Sequence, residues 1–264
     1  MKTRIGILGA RGRMGRAIAG IIQDKEAQRA ELAAQVGRGD PTGPLLETDV
    51  IIDVSTPEAL LAFYHDQHGP VPPLVSGVTG WQAEQRETLE NLAQIHPILL
   101  AANFSLGIAL LHQLLRQAAP LLRQLGYTPV VTETHHRHKK DAPSGTALSL
   151  CRAIAPENPQ AVQVHAIRAG EVYGDHAVTF YGDADQITLS HHTQSRDLFA
   201  AGAVAVALWF AGHSSTGKLQ DLKAYLHSVC PMGVIPLHSF QDSSGKVVQT
   251  GTPGSIESKI TNRE

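Results

Sequence analysis

The sequence predicts an α/β fold in which a doubly wound parallel sheet is followed by a smaller α+β domain with an open mixed sheet. Three observations favour this class. Strand-like and helix-like segments alternate over about the first hundred residues, a glycine-rich turn follows the first apolar strand, and longer alternating strands appear only later in the chain. Repeated β-α units of this length are typical of a parallel sheet with helices on both faces.

The first domain is predicted over residues 1–105. Met14, Ile18 and Ile22 share one face of its first helix, and Val50–Val54 is apolar throughout, as expected of a strand covered on both faces. The predicted strands are Arg4–Leu8, Glu31–Val36, Val50–Val54, Leu74–Val78 and Ile98–Ala102, and the predicted helices are Arg13–Gln23, Pro57–His68 and Gln82–Gln94.

The second domain is predicted over residues 106–213, with a return to the first domain over 214–227. Strand Pro129–Thr134 and the alternating segment Val162–Ser195 indicate an open mixed sheet. The predicted helices are Gly107–Leu125, Ser144–Ala155, Leu198–Ala211 and Gly217–His227. Residues 228–264 are rich in Gly, Ser and Thr and are interpreted as a terminal extension, either weakly ordered or a regulatory or partner-binding segment.

The composition excludes several classes of protein. The chain has 264 residues, 42% hydrophobic and 17% charged, so it can bury a core without disulfides or metals. A net charge of -2 provides no basic field for a nucleic acid or an anionic membrane. Cys151 and Cys230 have no metal-binding spacing and predict reduced thiols. Neither a signal peptide nor a stretch of about 18 apolar residues is recognisable, so we expect a cytoplasmic protein.

A glycine turn joins the first strand to the first helix. Glycine lets backbone N–H groups approach a pyrophosphate, and the helix N-terminus adds partial positive charge. The spacing G-x-x-G-x-x-G differs from the stricter G-x-G-x-x-G, so a tight turn without a ligand remains an alternative. The predicted pyrophosphate-binding residues, in a dinucleotide-binding domain of the Rossmann type, are Gly9, Ala10, Arg11, Gly12, Arg13 and Met14.

The cofactor preference is predicted from the end of the second strand. A site selective for an unphosphorylated ribose usually carries an acidic residue about 20 residues after the glycines. The sequence there reads Gln35-Val36-Gly37-Arg38, without a carboxylate. Arg38, with Arg11 or Arg13, suits a 2′-phosphate. We therefore expect NADPH or NADH as cofactor, with NADPH favoured, although Arg38 as a solvated surface charge is the alternative.

A basic loop carries the most informative chemistry. His135 to Lys140 are all basic or titratable, and they lead into a helix that starts at Pro143-Ser144-Gly145-Thr146. Free N–H groups and hydroxyls at that helix start form an anion site, and adjacent His and Lys side chains can neutralise a second carboxylate and donate protons. The combination predicts a small dianionic substrate.

Two other interpretations of the loop are open. His135, His136 and His138 are possible zinc ligands, but in an extended segment His135 points away from the other two, and the neighbouring cations repel a metal. A solvated basic loop without a ligand is the second. We predict no metal.

The basic loop also resembles the signature of a known family. The segment ETHHRHKKDAPSGTA at 133–147 is similar to that of the bacterial 4-hydroxy-tetrahydrodipicolinate reductase (dihydrodipicolinate reductase) family of lysine and diaminopimelate biosynthesis. Further segments agree in order: GARGRMGRAI at 9–18, DVSTPEAL at 53–60, GVTG at 77–80, AANFSLGI at 101–108, RAGEVYGDH at 168–176 and SRDLFAAGAVAVALW at 195–209.

The resemblance implies NAD(P)H-dependent reduction of a cyclic dicarboxylate by a homotetramer with a dinucleotide-binding domain and a smaller α+β domain. It implies catalytic roles for His135 and Lys139, which would exchange protons with the substrate. It implies that the substrate carboxylates bind to His136, Ser144, Gly145 and Thr146, and that the nicotinamide side is lined by Gly77, Val78, Thr79, Ala102, Asn103, Phe104 and Ser105.

Two competing functions remain open from the residues alone. Another two-domain dehydrogenase, for an amino acid or a semialdehyde, shares the first domain but does not predict the basic loop. A nucleotide-sensing protein without turnover is disfavoured by the presence of His135 and Lys139.

Overall fold

A computed structural model of the chain describes residues 1–67, 69–229, 240–241 and 247–248. The first domain is built on a five-stranded parallel sheet with the order β2-β1-β3-β4-β5. Its strands are β1 (Thr3–Leu8), β2 (Ala30–Val36), β3 (Val50–Asp53), β4 (Leu74–Ser76) and β5 (Ile98–Leu100). The predicted apolar segments therefore do form a parallel sheet, as the β-α alternation indicates.

Helices cover both faces of this sheet. On one face α1 (Arg13–Asp24) packs with β-strand residues such as Ile5 and Ile52. On the other face α2 (Pro57–His65) and α3 (Ala83–Leu92) pack against Leu8 and Ile51. Alternate residues of one strand thus serve two cores, which explains why the strands are apolar throughout.

The second domain contains a four-stranded mixed sheet with the order β7-β6-β8-β9. Its strands are β6 (Thr128–His135), β7 (Gln163–Arg168), β8 (Asp175–Tyr181) and β9 (Gln186–His192). β6 runs parallel to β7 and antiparallel to β8. Helices α4 (Leu106–Gln124) and α5 (Gly145–Ile154) cover one face of this sheet and form its core.

The chain returns to the first domain earlier than the sequence indicates. Helix α6 (Asp197–His213) packs on the first sheet beside α1, with Ala203, Val206 and Phe210 completely buried. The sequence-based division placed residues up to 213 in the second domain, whereas the chain has already crossed back by the start of α6. Helix α7 (Leu222–Val229) follows, and Gln220 extends the sheet at β5.

Beyond α7, two short strands, β10 (Phe240–Gln241) and β11 (Val247–Val248), pair antiparallel. The predicted terminal extension at 228–264 begins within α7, and apart from residues 228–229 and these two strands it lies outside the described residues, as does Cys230. No helix among the described residues has both the length and the apolarity needed to cross a bilayer.

Candidate active site

The glycine turn between β1 and α1 is shaped by close backbone packing. Gly9 has a φ of 88°, and a Cβ there would lie 2.8 Å from backbone atoms of Val54. A Cβ on Gly15 would lie 2.5 Å from the carbonyl oxygen of Gly9. Gly12 precedes α1, and no side chain caps the first turn of that helix. The uncapped turn therefore provides N–H groups for an anionic ligand.

Some backbone groups of the predicted pyrophosphate loop already form hydrogen bonds within the protein. The N–H groups of Gly9 and Ala10 donate to the carbonyl oxygen of Val36 at 2.8 and 3.0 Å. The Arg16 guanidinium donates to the carbonyl oxygen of Arg11 at 2.9 and 3.0 Å. The Gly12 N–H likewise donates to the carbonyl oxygen of Gly9 at 3.0 Å. These bonds fix the turn to β2 and to α1, so an anion at residues 11–14 would be held mainly by the N–H groups of Arg11, Arg13 and Met14.

A cavity of about 410 Å³ opens beside the turn, and Arg11, Arg38 and Asp40 are among its lining residues. Asp40 accepts a hydrogen bond from the Gly37 N–H at 2.9 Å and pairs with the Arg11 guanidinium at 2.6 Å. The sequence analysis found no carboxylate at the end of β2 because Asp40 lies four positions after Val36 and reaches the pocket only in the folded chain. The lining of this pocket therefore contains two arginines, Arg11 and Arg38, and two carboxylates, Asp40 and Asp66.

The predicted nicotinamide-side segments meet at the carboxyl ends of β4 and β5. A Cβ on Gly77 would lie 2.8 Å from the ring of Phe104, so the two segments are in direct contact. The Val78, Phe104 and Ser105 side chains are buried in protein packing, whereas Thr79 and Ala102 are exposed. The contribution of the buried residues to a ligand would therefore come from their backbone.

On the substrate side, Glu133 is a completely buried carboxylate on β6 with three partners. Its Oε1 accepts from the Ser144 N–H at 3.0 Å and from the Arg168 guanidinium at 2.8 Å. Its Oε2 lies in direct contact with Nδ1 of His135. Burial alone would raise the pKa of Glu133, but the hydrogen bonds from Arg168 and Ser144 and the charges of His135 and Arg168 hold it below its usual value.

His135 and His176 are held as buried imidazoles next to this carboxylate. Burial lowers the pKa of His135, and although Glu133 opposes the shift, Lys139 and Arg168 add to it. Burial and the neighbouring His135 lower the pKa of His176 to about 4. The two rings meet edge to face with centroids 5.2 Å apart. A Cβ on Gly174 would lie 3.0 Å from Nε2 of His135, so this glycine leaves room beside that nitrogen.

Lys139 and the start of α5 complete the substrate side. The Lys139 ammonium lies 2.8 Å from the Asp141 carboxylate, and its side chain is 22% exposed. Ser144 caps α5 by accepting from the Ala147 N–H at 3.1 Å and lies 3.3 Å from Nε2 of His176. Thr146 stands in the first turn. Cationic and N–H groups therefore converge at the carboxyl end of β6.

The remaining loop histidines do not join this cluster. β6 ends at His135, so residues 136–138 form a turn rather than the extended segment assumed for the zinc alternative. The rings of His136 and His138 lie 6.3 Å apart, and Nε2 of His138 is 3.9 Å from the exposed Glu171. His136 remains half-buried beside the cluster, where it stays a predicted carboxylate ligand.

A different trio has metal-ligand character. Donor atoms of Glu133, His135 and His176 lie within 4.8 Å of one another. However, the guanidinium of Arg168 already donates a hydrogen bond to Oε1 of Glu133. The positive charge of Lys139 also lowers the pKa of His135. Two cations this close oppose a third, so the trio is better suited to organise protons and anions.

Asn103 and Ser105 connect the two sides of the site. The Asn103 amide lies 3.5 Å from the Thr146 hydroxyl, and its carbonyl oxygen accepts from the Ser105 N–H at 2.8 Å. Ser105 caps α4 and lies 3.2 Å from Nε2 of His191 on β9. The segment after β5 is thus hydrogen-bonded both to the start of α5 and to the second sheet.

Sequence reasoning missed Glu133, Arg168 and His176 as members of the site. Arg168 is paired with His135 in the β6–β7 register, and His176 is paired with Glu133 in the β6–β8 register. The segments that contain them were recognised, but no local pattern shows which residues the strand pairing aligns.

A parallel nucleotide-type sheet joined to a second sheet that presents titratable side chains defines a two-domain, nicotinamide-dependent oxidoreductase. Comparison with known proteins specifies the family. Residues 3–104 match the family profile "Dihydrodipicolinate reductase, N-terminus", and residues 107–226 match "Dihydrodipicolinate reductase, C-terminus". The chain belongs to the dihydrodipicolinate reductase family.

Individual relatives agree with the family profiles. A 4-hydroxy-tetrahydrodipicolinate reductase of Halorhodospira halophila is 37% identical over 79% of this chain and 94% of its own length. One from Campylobacter jejuni is 34% identical over 84% of this chain and 98% of its own length. A dipicolinate-bound dihydrodipicolinate reductase from Paenisporosarcina sp. TG-14 is 21% identical, has a TM-score of 0.68, and is matched over 85% of this chain and 99% of its own length, which shows a shared fold.

Proposed function

We propose that this chain reduces 4-hydroxy-tetrahydrodipicolinate to tetrahydrodipicolinate, the reaction after which its curated relatives are named. The family places this reaction in lysine and diaminopimelate biosynthesis. Water leaves the hydroxylated ring, and one hydride and one proton are then added across a ring double bond. The nicotinamide, when bound, supplies the hydride. The residues of the chain must hold a dianionic ring and deliver the proton.

The observation that carries the proposal is the position of Glu133. One buried carboxylate holds both the imidazole of His135 and the N–H of Ser144. It therefore fixes a proton-transfer group and an anion-binding helix start relative to one another. Fixed geometry between a reacting group and a bound substrate can contribute several kcal/mol to catalysis.

Each side chain of the cluster has a role in this proposal. The N–H groups of Gly145 and Thr146, with the Ser144 and Thr146 hydroxyls, bind one carboxylate, and His136 binds the other. Lys139 donates the proton to the ring as the hydride arrives. The Nδ1 atom of His135 faces the Glu133 carboxylate, and Gly174 leaves space beside Nε2. His135 therefore presents Nε2 to the ligand. On the cofactor side, residues 11–14 hold the pyrophosphate, and Gly77, Thr79 and Ala102 contact the nicotinamide.

An assay with enzymatically generated substrate tests the proposal directly. The purified chain is mixed with NADPH and with the condensation product of pyruvate and aspartate semialdehyde, and loss of nicotinamide absorbance is followed. Oxidation that requires both precursors supports the function. Oxidation with aspartate semialdehyde alone, or reduction of NADP⁺ by a free amino acid, would instead identify one of the competing dehydrogenases. NADPH binding without any turnover would identify a nucleotide sensor.

We also propose that NADPH is preferred over NADH. Arg11 and Arg38 line the pocket beside the glycine turn, and guanidinium groups suit a 2′-phosphate. Asp40 already pairs with the Arg11 guanidinium, which leaves Arg38 as the main candidate for that phosphate. Arg38→Ala should raise KM for NADPH about tenfold and leave KM for NADH unchanged. An equal effect on both cofactors would show that Arg38 does not contact the 2′-phosphate.

A homotetramer is proposed from the open face of the second sheet. The face opposite α4 and α5 presents small and β-branched side chains, among them Thr132, Ala177 and Thr179, with Ile167 exposed. Such a face suits packing against the same face of another copy, which joins two chains, and a second interface between two such pairs completes the tetramer that the family resemblance implies. Sedimentation equilibrium at micromolar concentration should give the mass of four chains, and a monomer mass would reject the assembly.

A further inference from the structure

A second cavity lies between α4, α5 and α7, beside the proposed substrate site, and is named here the α4–α7 cleft. Its volume is about 250 Å³. Much of the lining is apolar: Leu100, Ala101, Ile108, Leu222 and Leu226. The cleft is somewhat smaller than the usual small-molecule site of about 300–1,000 Å³, but its apolar lining with a few polar groups is typical of such sites.

Cations surround the α4–α7 cleft. Arg116 and Lys223 line it, and both also line an adjoining cavity of about 510 Å³ that adds Arg123 and Arg152. The carboxylates that line the two cavities already have cationic partners: Asp221 lies 3.5 Å from Lys223, and Glu157 pairs with Arg123 at 2.5 Å. The balance of charge among these described side chains is therefore positive.

His112 lies inside the cleft and connects it to α5. Its Nε2 is 3.0 Å from the Ser149 hydroxyl, and that hydroxyl donates to the Thr146 carbonyl oxygen at 2.8 Å. Since the hydroxyl proton is used there, Nε2 of His112 is the donor to Ser149. Burial and then the charges of Arg116, Arg152 and Lys223 lower the pKa of His112 to about 4. The positive potential of the surface thus reaches the interior of the cleft.

The cleft is distinct from the site proposed for the reaction. His135, Lys139 and Ser144 do not line it, and neither do the glycine turn or Gly77. It shares only Ala102, Asn103 and Thr146 with the predicted functional residues. The two sites are neighbours across the first turn of α5.

We propose that the α4–α7 cleft binds a small organic anion, a carboxylate or a phosphate ester with an apolar body about the size of one ring. The apolar body would contact Ile108 and Leu226, and the anionic group would pair with Arg116 and Lys223. Binding itself does not depend on the proposed function, because Arg116 and Lys223, which would pair with the anionic group, have no role in the proposed reaction.

The test uses the full chain loaded with NADPH and with pyridine-2,6-dicarboxylate, which fills the proposed substrate site. Because this dicarboxylate is itself a one-ring carboxylate, the probes are also titrated without it, and a probe of the cleft must bind in at least one of the two titrations. Benzoate and phenyl phosphate, a carboxylate and a phosphate ester, are titrated separately by calorimetry. The nitrogen resonances of His112 are followed in parallel, because an anion in the cleft offsets the cations Arg116, Arg152 and Lys223 and raises the pKa of His112. Asp221, immediately before α7, is the one carboxylate among the described lining residues of the cleft. The His112 signal reports occupancy whether or not the dicarboxylate binds.

We expect at least one probe to bind with a Kd in the millimolar range or below. The double variant Arg116→Ala/Lys223→Ala, which truncates two exposed side chains, should weaken binding about tenfold, equivalent to about 1.4 kcal/mol. The control Lys25→Ala, on the exposed end of α1, should leave binding unchanged. The proposal is overturned if neither probe produces heat or a His112 shift at millimolar concentration, or if the double variant binds as tightly as the original chain.

Discussion

The two sides of the proposed active site are shaped by different structural features: interacting buried side chains on the substrate side, and glycines on the dinucleotide side. On the substrate side, buried side chains bind one another: Glu133 holds His135, Ser144 and Arg168. On the dinucleotide side, the shape is set by missing side chains, since a Cβ on Gly9 or Gly15 would collide with backbone atoms. The comparison teaches that a site for proton transfer needs preorganised charge, whereas a pyrophosphate site needs exposed backbone.

The largest expected effect comes from the proton donor on the substrate side. Lys139→Ala should lower kcat about 10²- to 10⁴-fold, with a much smaller rise in KM for the substrate, because the ammonium acts in the transition state. Steady-state kinetics with saturating NADPH measure both constants. Lys140→Ala, at the exposed neighbouring position, is the control and should keep a near-normal kcat. Near-normal kcat in Lys139→Ala would remove this residue from the chemistry.

The next effect tests whether Glu133 is the centre of the substrate side. Glu133→Gln removes the buried carboxylate that pairs with the partly buried Arg168, and we expect a loss of about 3 kcal/mol in the free energy of unfolding. It also removes the acceptor that orients His135, so kcat should fall in the fraction that folds. Urea unfolding at neutral pH, followed by fluorescence, measures the stability change.

Glu171→Gln is the matched control for this charge removal. Glu171 pairs with Arg137 at 3.6 Å, but both side chains are mostly exposed, so its loss should cost about 0–1 kcal/mol. Equal stability losses in the two variants would mean that the buried network is no stronger than a surface ion pair, and the contrast between the two sides would fail.

A third prediction concerns Asp53, a buried carboxylate on the dinucleotide side. Burial raises its pKa to about 6, although hydrogen bonds from Ser55 and Ser76 oppose the shift. The folded chain therefore keeps this proton at pH values where the unfolded chain has lost it. Its contribution to stability is largest near pH 4 and is lost as the pH rises through 6, by an amount on the order of 3 kcal/mol.

Asp53→Asn isolates this contribution. The difference in unfolding free energy between the original chain and the variant, measured by urea unfolding from pH 4 to 7, should change steadily in favour of the variant as the pH rises. The difference cancels the titration of all other groups. A constant difference over that range would show that Asp53 has an ordinary pKa and that the dinucleotide side contains no strained buried charge.

The sequence predicted the first sheet closely because apolar strands and β-α alternation are local signals. It did not show which sheet α6 packs on, because this Ala- and Val-rich helix is buried on several faces and has no single apolar stripe. The last helix was predicted at Gly217–His227 but begins at Leu222, after Gln220 pairs with the edge of the sheet. The resemblance supplied the motifs, and their residues do lie at the ends of the expected strands.

The sequence indicated the separate segments that form the candidate site, but it did not show which side chains of different segments contact one another. The pairing of His135 with Arg168 and of Glu133 with His176 depends on strand register, which is set by long-range packing. Asp40 was missed for a similar reason, since its contact with Gly37 forms only when the loop after β2 turns back. The sequence therefore located the contiguous motifs, but it did not show the residues from other strands and loops that contact them in the fold.

The smallest expected effect comes from two glycines of α1, one in close backbone contact with the turn and one with open space around it. Gly15→Ala places a methyl group 2.5 Å from the Gly9 carbonyl oxygen, so the turn must shift. We expect a stability loss of about 1–3 kcal/mol and weaker NADPH binding. Gly20→Ala, in the same helix with no atom within 4 Å of the added Cβ, should instead stabilise the chain by about 0.5–1 kcal/mol and leave NADPH binding unchanged. Thermal unfolding and NADPH fluorescence titration measure both quantities. If the two variants behave alike, close backbone packing does not shape the turn, and the cofactor side depends on its arginine side chains instead.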